Sequence, residues 1–437
     1  MFSPSRPFAS LRASSFSIPR FVGCVLLFAA VFAGTSCVPR ETDQIRLRAA
    51  FWSPPGIEEE IARRFEALHP GVRVELLITG GRYAEKLQSM IVAGNEPDVI
   101  MAQDTFFHDW AARNVFLDLT DLVHELDAAA PFMPAPLEAF KLGDRHFVVP
   151  TDCNAMVAYG NIVAARSAGL NFPWDRFTWA QIEALGPKLS RRANPDSPTE
   201  FVCALPQEQF FFTAYGARCF DDPWKPTRVI VDSPLTYEAF EYWRRMHQNG
   251  WAVPRSTVLD QGESEMFRDG RIAFLFWGRG SSKFIRLNRD LEWDIAPVPQ
   301  GPAGGAAPHL SVALGISRRS KHADLAREFI RFYVSDRAAE VPIKAGHVVP
   351  ARRHQAYSEF FLNEHPPASM LRYVEPMEAG GLTAIAYCPG RLELEEIVRK
   401  RFEQSLSEPH VPTGDIVRGL AADVRAWLAR QKEKGLL

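Results

Sequence analysis

The sequence has little net charge and no long hydrophobic run beyond its N-terminal segment. Its formal charge is −2 over 437 residues, which gives no argument for a nucleic-acid partner. After residue 36 no apolar run reaches the roughly 18 residues that suggest a transmembrane helix, so none is expected. The hydrophobic fraction of 46% and the charged fraction of 23% exclude disorder, collagen-like sequence and a coiled coil. At about 150 residues per domain, the length predicts two or three domains.

Sequence motifs of catalysis are also missing. His124-Glu125 begins like a zinc-protease helix motif, but Ala128 stands where the second histidine is required. There is no Cys-x-x-Cys pair and no Gly-x-Ser-x-Gly elbow. The glycines around Arg279 lack the spacing of a phosphate loop. We therefore expect no catalytic residue, no metal site and no cofactor.

The first 36 residues read as a lipoprotein-type signal peptide. Their only charges are basic, and the apolar run 21–33 is too short to span a bilayer. Small residues then lead to Cys37, which resembles an acylated cysteine, although Gly34 stands where that motif usually has Leu. We expect an exported, membrane-anchored lipoprotein that faces the periplasm or the cell exterior, with residues 37–44 as a tether. The alternative is ordinary signal cleavage at this point, which would give a soluble secreted protein.

Cysteine is scarce, with six in the whole chain. Two fall in or beside the signal peptide, and an exported protein can oxidise the other four. Cys203 and Cys219 are the best candidate disulfide pair because they are close in sequence. The alternative is that they are free cysteines buried in a large domain.

Hydrophobic periodicity predicts an α/β fold. Strands at about 45–52, 72–78 and 98–102 alternate with amphipathic helices, the third over about 105–113. Three β-α units in about 70 residues indicate a mainly parallel sheet covered by helices. Such sheets bind ligands beyond the carboxyl ends of their strands, and the segments there are polar, aromatic or glycine-rich. A second α/β region follows, and the chain crosses between the two bodies near 147–161, 294–299 and 346–350.

Five ordered segments carry a resemblance to a known family. They are Phe65 to Val74, Glu96-Pro97-Asp98-Val99-Ile100, Phe177-Thr178-Trp179, Phe267 to Phe274, and Gly346-His347-Val348-Val349-Pro350. Together they resemble the periplasmic solute-binding proteins of ABC importers, the family that includes maltose-binding protein and other sugar receptors. One departure is Gln181, where the family usually has an acid. The resemblance covers residues 45–430.

The resemblance implies two discontinuous lobes that close on a ligand by a hinge motion. We expect one lobe from residues 45–152 plus 298–346, and the other from 153–297 plus 347–437. The implied partners are a small-molecule sugar, the membrane subunits of an ABC permease and the membrane through the lipid anchor. We expect a monomer.

The candidate ligand residues are aromatic or planar polar side chains, because a sugar has an apolar C–H face and a rim of hydroxyls. Trp52, Arg82 and Asp104 follow the first strands, and the resemblance aligns Asp104 with an acidic ligand contact. Its alternative role is capping the next helix. For every candidate, core packing or surface exposure is the alternative. The full set is Trp52, Arg82, Asp104, Asp152, Asn154, Trp277, Arg279, His309 and Tyr387. Trp174, Trp179, Trp243 and Trp427 are expected in the core.

The leading function is therefore capture of a sugar or oligosaccharide for an importer, without a reaction. One alternative is a non-sugar solute on the same scaffold: a polyamine, iron or a sugar phosphate. Another is an exported glycosidase or lyase, which requires two carboxylates facing each other across the cleft.

Overall fold

The computed structural model describes residues 44–305, 307–380 and 385–437. The expected signal peptide and Cys37 lie outside these residues, so both stay predictions. Within the described ranges no helix combines the length and the apolar character needed to cross a bilayer.

The strands form two main sheets and a short hairpin. In chain order they are β1 (Ile45–Phe51), β2 (Val72–Ile78), β3 (Val99–Gln103), β4 (Lys141–Leu142), β5 (Arg145–His146), β6 (Val148–Ala155), β7 (Val157–Asn161), β8 (Phe201–Ala204), β9 (Ile272–Trp277), β10 (Trp293–Ala296) and β11 (His309–Ile316). The first sheet has the order β2-β1-β3-β11-β6, and the second β10-β7-β9-β8. In the first sheet β1 is parallel to both of its neighbours, whereas β11 is antiparallel to both of its own.

Helices connect and cover these strands. They are α1 (Ile57–Leu68), α2 (Tyr83–Ala93), α3 (Asp104–Ala112), α4 (Thr120–Ala129), α5 (Pro134–Ala139), α6 (Ile162–Ser167), α7 (Trp179–Ala184), α8 (Gly186–Leu189), α9 (Glu208–Ala214), α10 (Pro234–Gln248), α11 (Arg255–Gln261), α12 (Glu263–Arg268), α13 (Ser282–Ile285), α14 (Ala323–Tyr333), α15 (Asp336–Lys344), α16 (Arg353–Ala356), α17 (Glu359–Leu362), α18 (Glu375–Glu378), α19 (Arg391–Ser407) and α20 (Thr413–Glu433). Short 3-10 helices cover Gly80–Arg82, Arg279–Ser281 and Met370–Tyr373.

The first helix shows how local sequence produces the predicted alternation. Gly56 precedes α1 with a φ of 95°, a left-handed conformation that glycine adopts without strain. The Glu59 carboxylate accepts a hydrogen bond from the Gly56 N–H at 2.8 Å, which satisfies a donor at the open end of the helix. Ile61 and Phe65 then turn inward and are fully buried. The predicted β-α-β-α-β-α order is confirmed by β1 to α3.

The chain passes between the sheets where long crossings are expected. The first crossing is broken at Met156, so that β6 belongs to one sheet and β7 to the other. The Met156 N–H donates to the Pro308 carbonyl at 2.7 Å, just before β11. The third crossing lies alongside, because the Cys153 N–H donates to the Val349 carbonyl at 2.9 Å. The lobe boundaries given above stay a prediction.

Each main sheet has a hydrophobic core. Trp174, Trp179, Trp243 and Trp427 are buried in the core that α9, α10, α19 and α20 form with the second sheet, as expected. Cys203 and Cys219 lie in the same core and both are free, which matches the alternative of free buried cysteines and not the candidate disulfide. Apolar side chains surround both thiols, and burial raises the pKa of each, which keeps them protonated.

Candidate ligand-binding cavity

A cavity of about 370 Å³ lies between elements of the two main sheets. From the first sheet and its helices it is lined by Trp52, Glu58 and Asp152, and from the second by Phe210 and Trp277. This volume is within the range of small-molecule sites.

Tryptophans from both sheets form apolar walls of the cavity. Trp52 follows β1 and is held edge-on against Tyr83 and Phe106, at ring-centroid distances of 4.7 Å and 6.1 Å. Trp277 is the last residue of β9, where the strand leaves the second sheet. Both residues are partly exposed, so neither side chain is fully covered by protein. Aromatic faces pack against the C–H surface of a sugar ring.

Glu58 lies on the cavity although it is only 1% exposed. Its Oε1 accepts hydrogen bonds from Ser53 Oγ at 2.5 Å and from Tyr333 Oη at 2.9 Å. Its Oε2 has no hydrogen-bond partner among the described residues. Burial raises the pKa of Glu58 to about 7, because the two hydrogen bonds only partly compensate the lost hydration.

Asp152 is the second carboxyl of the cavity and is 6% exposed. Its Oδ2 accepts a hydrogen bond from Thr151 Oγ1 at 3.0 Å. Burial raises the pKa of Asp152 to about 7 as well. The two carboxyls lie close enough for the Asp152 charge to raise the pKa of Glu58 further.

Neutral polar groups complete the lining. Asn154 on β6 has a buried Oδ1 without a partner in the described chain. Gly278 approaches it so closely that a Cβ there would lie 3.1 Å from the Asn154 Cβ, so glycine lets the end of β9 reach β6.

Burial lowers the pKa values of His309 and His347, the latter to about 4, and both rings are therefore neutral near pH 7.

The structure thus brings together five of the expected ligand residues on one cavity: Trp52, Asp152, Asn154, Trp277 and His309. Their contact with a ligand stays a prediction. The other four expected residues lie elsewhere.

Arg82 and Asp104 are displaced from the cavity for opposite reasons. The Arg82 side chain is 86% exposed and pairs with Glu85 at 2.8 Å on the surface. Asp104 is fully buried, and its Oδ2 lies 3.1 Å from Arg391 Nη1. It is the first residue of α3, after Gln103 at the N-cap, and no side-chain cap bond forms there. Asp104 therefore neither lines the cavity nor caps the helix.

Arg279 and Tyr387 are buried structural residues. The Arg279 guanidinium pairs with Glu364, donates to the Val348 carbonyl and lies 4.7 Å from the centre of the Phe361 ring. Tyr387 stacks on Trp224 at 4.9 Å, and its hydroxyl lies 3.4 Å from His309 Nε2, so it supports a cavity residue from behind.

Glu58 is the main site residue that the sequence analysis missed. Three acids open α1, and charge at a helix start has an ordinary explanation in the helix dipole. A signal was nevertheless present. Glu58 lies three residues before Ile61 and seven before Phe65, so it shares their inward face, where an unpaired acid is unusual.

Two lobes, each built on its own sheet, with a ligand-sized cavity between the sheets, define a solute-binding protein. The chain belongs to the bacterial extracellular solute-binding protein family, whose model matches residues 52–340.

Individual relatives are distant in sequence. The arabinooligosaccharide-binding protein of Bacillus subtilis (strain 168) is 22% identical over 339 residues, which cover 71% of this chain and 75% of the relative. An ABC substrate-binding protein of Listeria monocytogenes, solved with cycloalternan, superposes with a TM-score of 0.77 at 20% identity, covering 90% of this chain and 100% of the other. UgpB of Mycobacterium tuberculosis, solved with glycerophosphocholine, superposes with a TM-score of 0.74 at 20% identity, covering 88% and 99%. At these identities the superpositions show the fold.

Proposed function

We propose that this protein binds a sugar or oligosaccharide in the cavity between its lobes and delivers it to the membrane subunits of an ABC importer. The observation that carries the proposal is the pairing of Trp52 and Trp277, one from each sheet, on a cavity that also presents polar side chains. Apolar walls with a few directed polar groups are what a pyranose requires. The oligosaccharide named for the Bacillus relative supports the same class of ligand.

An anionic solute is less well supported. In the described chain the cavity lining contains no lysine or arginine, whereas a sugar phosphate needs cationic partners. The nearby arginines already have acidic partners, as Arg279 has in Glu364 and Arg391 in Asp104.

We further propose that the ligand leaves chemically unchanged. The two cavity carboxyls come from the same sheet and its helices: Glu58 is on α1, which packs against β2, and Asp152 is on β6. A glycosidase needs a carboxyl on each side of the scissile bond. Membership of a solute-binding family supports the same conclusion.

Export and anchoring belong to the proposal as well. Cys37 would carry the lipid and residues 37–44 would link it to the first lobe, with the protein acting as a monomer. Release of the Cys37→Ala variant from membranes, with the wild type retained, is the expected result. Membrane retention of the variant contradicts lipid anchoring.

The experiment for the main proposal is a thermal-shift screen of the full chain against neutral and amino sugars and oligosaccharides, followed by calorimetry. Stabilisation by one or a few sugars is expected, since a ligand that binds only the folded state raises the melting temperature. Chromatography of the recovered sugar should show it unaltered. No stabilisation by any sugar, or conversion of the bound sugar, would contradict the proposal.

A further inference from the structure

Other buried acids in the described chain have either a basic partner or backbone hydrogen-bond donors. Asp104 and Glu395 both pair with Arg391, and Glu208 pairs with Arg255 at 3.0 Å. Asp294 has no basic partner, but it accepts hydrogen bonds from the backbone N–H groups of Ile295 and Ser369.

Glu58 and Asp152 depart from this pattern. They are 1% and 6% exposed, and neither forms an ion pair with a described residue. Their hydrogen bonds come from hydroxyl groups alone, and Glu58 Oε2 receives none. Both residues line the same cavity. Since a buried carboxylate is costly without a compensating charge, the missing partner points to the occupant of the cavity.

Among the described residues, none of the titratable groups that act most strongly on the two carboxyls is a cation near pH 7. Besides Asp152, the titratable groups that act on Glu58 or respond to it include Tyr83 of α2, Tyr333 of α14 and Glu59 of α1, and none of these three carries a positive charge. Around Asp152 the corresponding groups are Cys153, Glu58 and Tyr333. The cavity histidines are neutral near pH 7.

We infer that the cavity takes a sugar that carries a positively charged amino group, which Glu58 and Asp152 hold by charge-assisted hydrogen bonds. Such bonds are stronger than neutral ones, and Glu58 Oε2 has an acceptor position open for one. The tryptophan walls offer flat apolar surfaces that match the C–H face of a sugar ring, and the spermidine arm of the test below distinguishes a linear polyamine. This inference rests on the proposed sugar-binding function.

The test uses the full chain at pH 7 and pairs of sugars in which one member carries amino groups where the other carries hydroxyl groups. Suitable pairs are glucosamine and glucose, galactosamine and galactose, and deacetylated chitobiose and cellobiose. Calorimetry in two buffers of different ionisation enthalpy measures both affinity and protons exchanged. For at least one pair we expect at least tenfold tighter binding of the amino sugar. Binding should release protons to the buffer, because the ammonium group of the sugar favours the ionised forms of Glu58 and Asp152.

Two isosteric variants test the residues themselves. Glu58→Gln and Asp152→Asn should each reduce the preference for the amino sugar at least fivefold, because they remove charge and keep shape. Glu75→Gln is the matched control: it removes the same charge from an exposed position on β2 and should leave the preference unchanged. Thermal melts establish that each variant is folded.

The outcomes separate this inference from the proposed function. Neutral sugars that bind as tightly as their amino counterparts overturn the inference and leave sugar binding intact. Survival of the amino-sugar preference in both carboxyl variants overturns the inference in the same way. Tight binding of spermidine with no binding of any sugar overturns both the inference and the proposed function, as does the absence of any binding.

Discussion

Arg391 Nη1 lies 3.1 Å from Asp104 Oδ2, and both side chains are essentially inaccessible to solvent. Asp104 begins α3, which packs on the first sheet, and Arg391 begins α19, whose apolar side chains belong to the core of the second. Arg391 also donates to Glu395 at 2.7 Å. The ion pair therefore joins a helix on the first sheet to a helix in the core of the second, and it explains why an acid at the end of β3 does not face the cavity.

Loss of Asp104 should be a stability defect. Asp104→Ala leaves the buried Arg391 with Glu395 alone, so we expect the free energy of unfolding to fall by about 3 kcal/mol. Urea denaturation measures this. Asp121→Ala is the control, since it removes an exposed pair with Arg327 and should cost less than about 1 kcal/mol. A large loss of ligand affinity with unchanged stability would instead place Asp104 among the ligand contacts.

The two cavity tryptophans should dominate affinity for a sugar. Trp52→Ala and Trp277→Ala should each weaken binding by about 2 kcal/mol, or roughly thirtyfold, because each removes an aromatic wall. Calorimetry with the best sugar of the thermal-shift screen measures this. Phenylalanine at either position should restore part of the affinity. Leu259→Ala, at a position 75% exposed, serves as the control. Unchanged affinity in both alanine variants would show that Trp52 and Trp277 do not contact the sugar.

Stability without ligand should depend on pH through Glu58 and Asp152. Below about pH 3 both carboxyls are largely neutral, whether the chain is folded or unfolded. Between about pH 4 and pH 7 they ionise readily only in the unfolded chain, because burial raises the folded pKa of each to about 7. The folded state then binds more protons, so its stability falls as pH rises through this window, by up to about 4 kcal/mol per group.

Isosteric variants separate the effect of Glu58 and Asp152 on stability from that of the other ionisable groups. Urea denaturation at pH 5 and pH 8 should show a smaller loss of stability in Glu58→Gln and Asp152→Asn than in the wild type. Glu75→Gln, which removes an exposed acid, should behave like the wild type. Equal pH dependence in all four proteins would show that the cavity carboxyls have ordinary pKa values.

The four buried cysteines of the described chain should be free thiols that react slowly. Cys153, Cys203, Cys219 and Cys388 are all buried and unpaired, and burial raises their pKa values. Alkylation of the native protein should therefore be slow, and alkylation after denaturation without reductant should label all four. Peptide mapping by mass spectrometry checks this. A peptide linking Cys203 to Cys219 would restore the expected disulfide.

Apolar spacing and helix-breaking residues in the sequence predicted those strands and helices that depend mainly on residues close together in the chain. The alternation of β1 to α3 follows from apolar spacing and from breakers such as Gly56 and Gly71. The position of Trp52 on the cavity follows from its place at a strand end. Arg279 was misplaced because it also follows a strand, but it turns inward to Glu364, which lies 85 residues away in sequence.

The sequence by itself determined the α/β class and the strand ends that border the cavity, because periodicity and turn residues act over a few positions, and the two lobes followed from the resemblance to a family. The tertiary structure alone decided which charged side chains meet the cavity and which pair in the interior. Asp104 and Arg391 are separated by 287 residues. Only packing of the lobes brings them together, and it leaves Glu58 and Asp152 as the buried acids with neither a basic partner nor a full set of hydrogen bonds among the described residues.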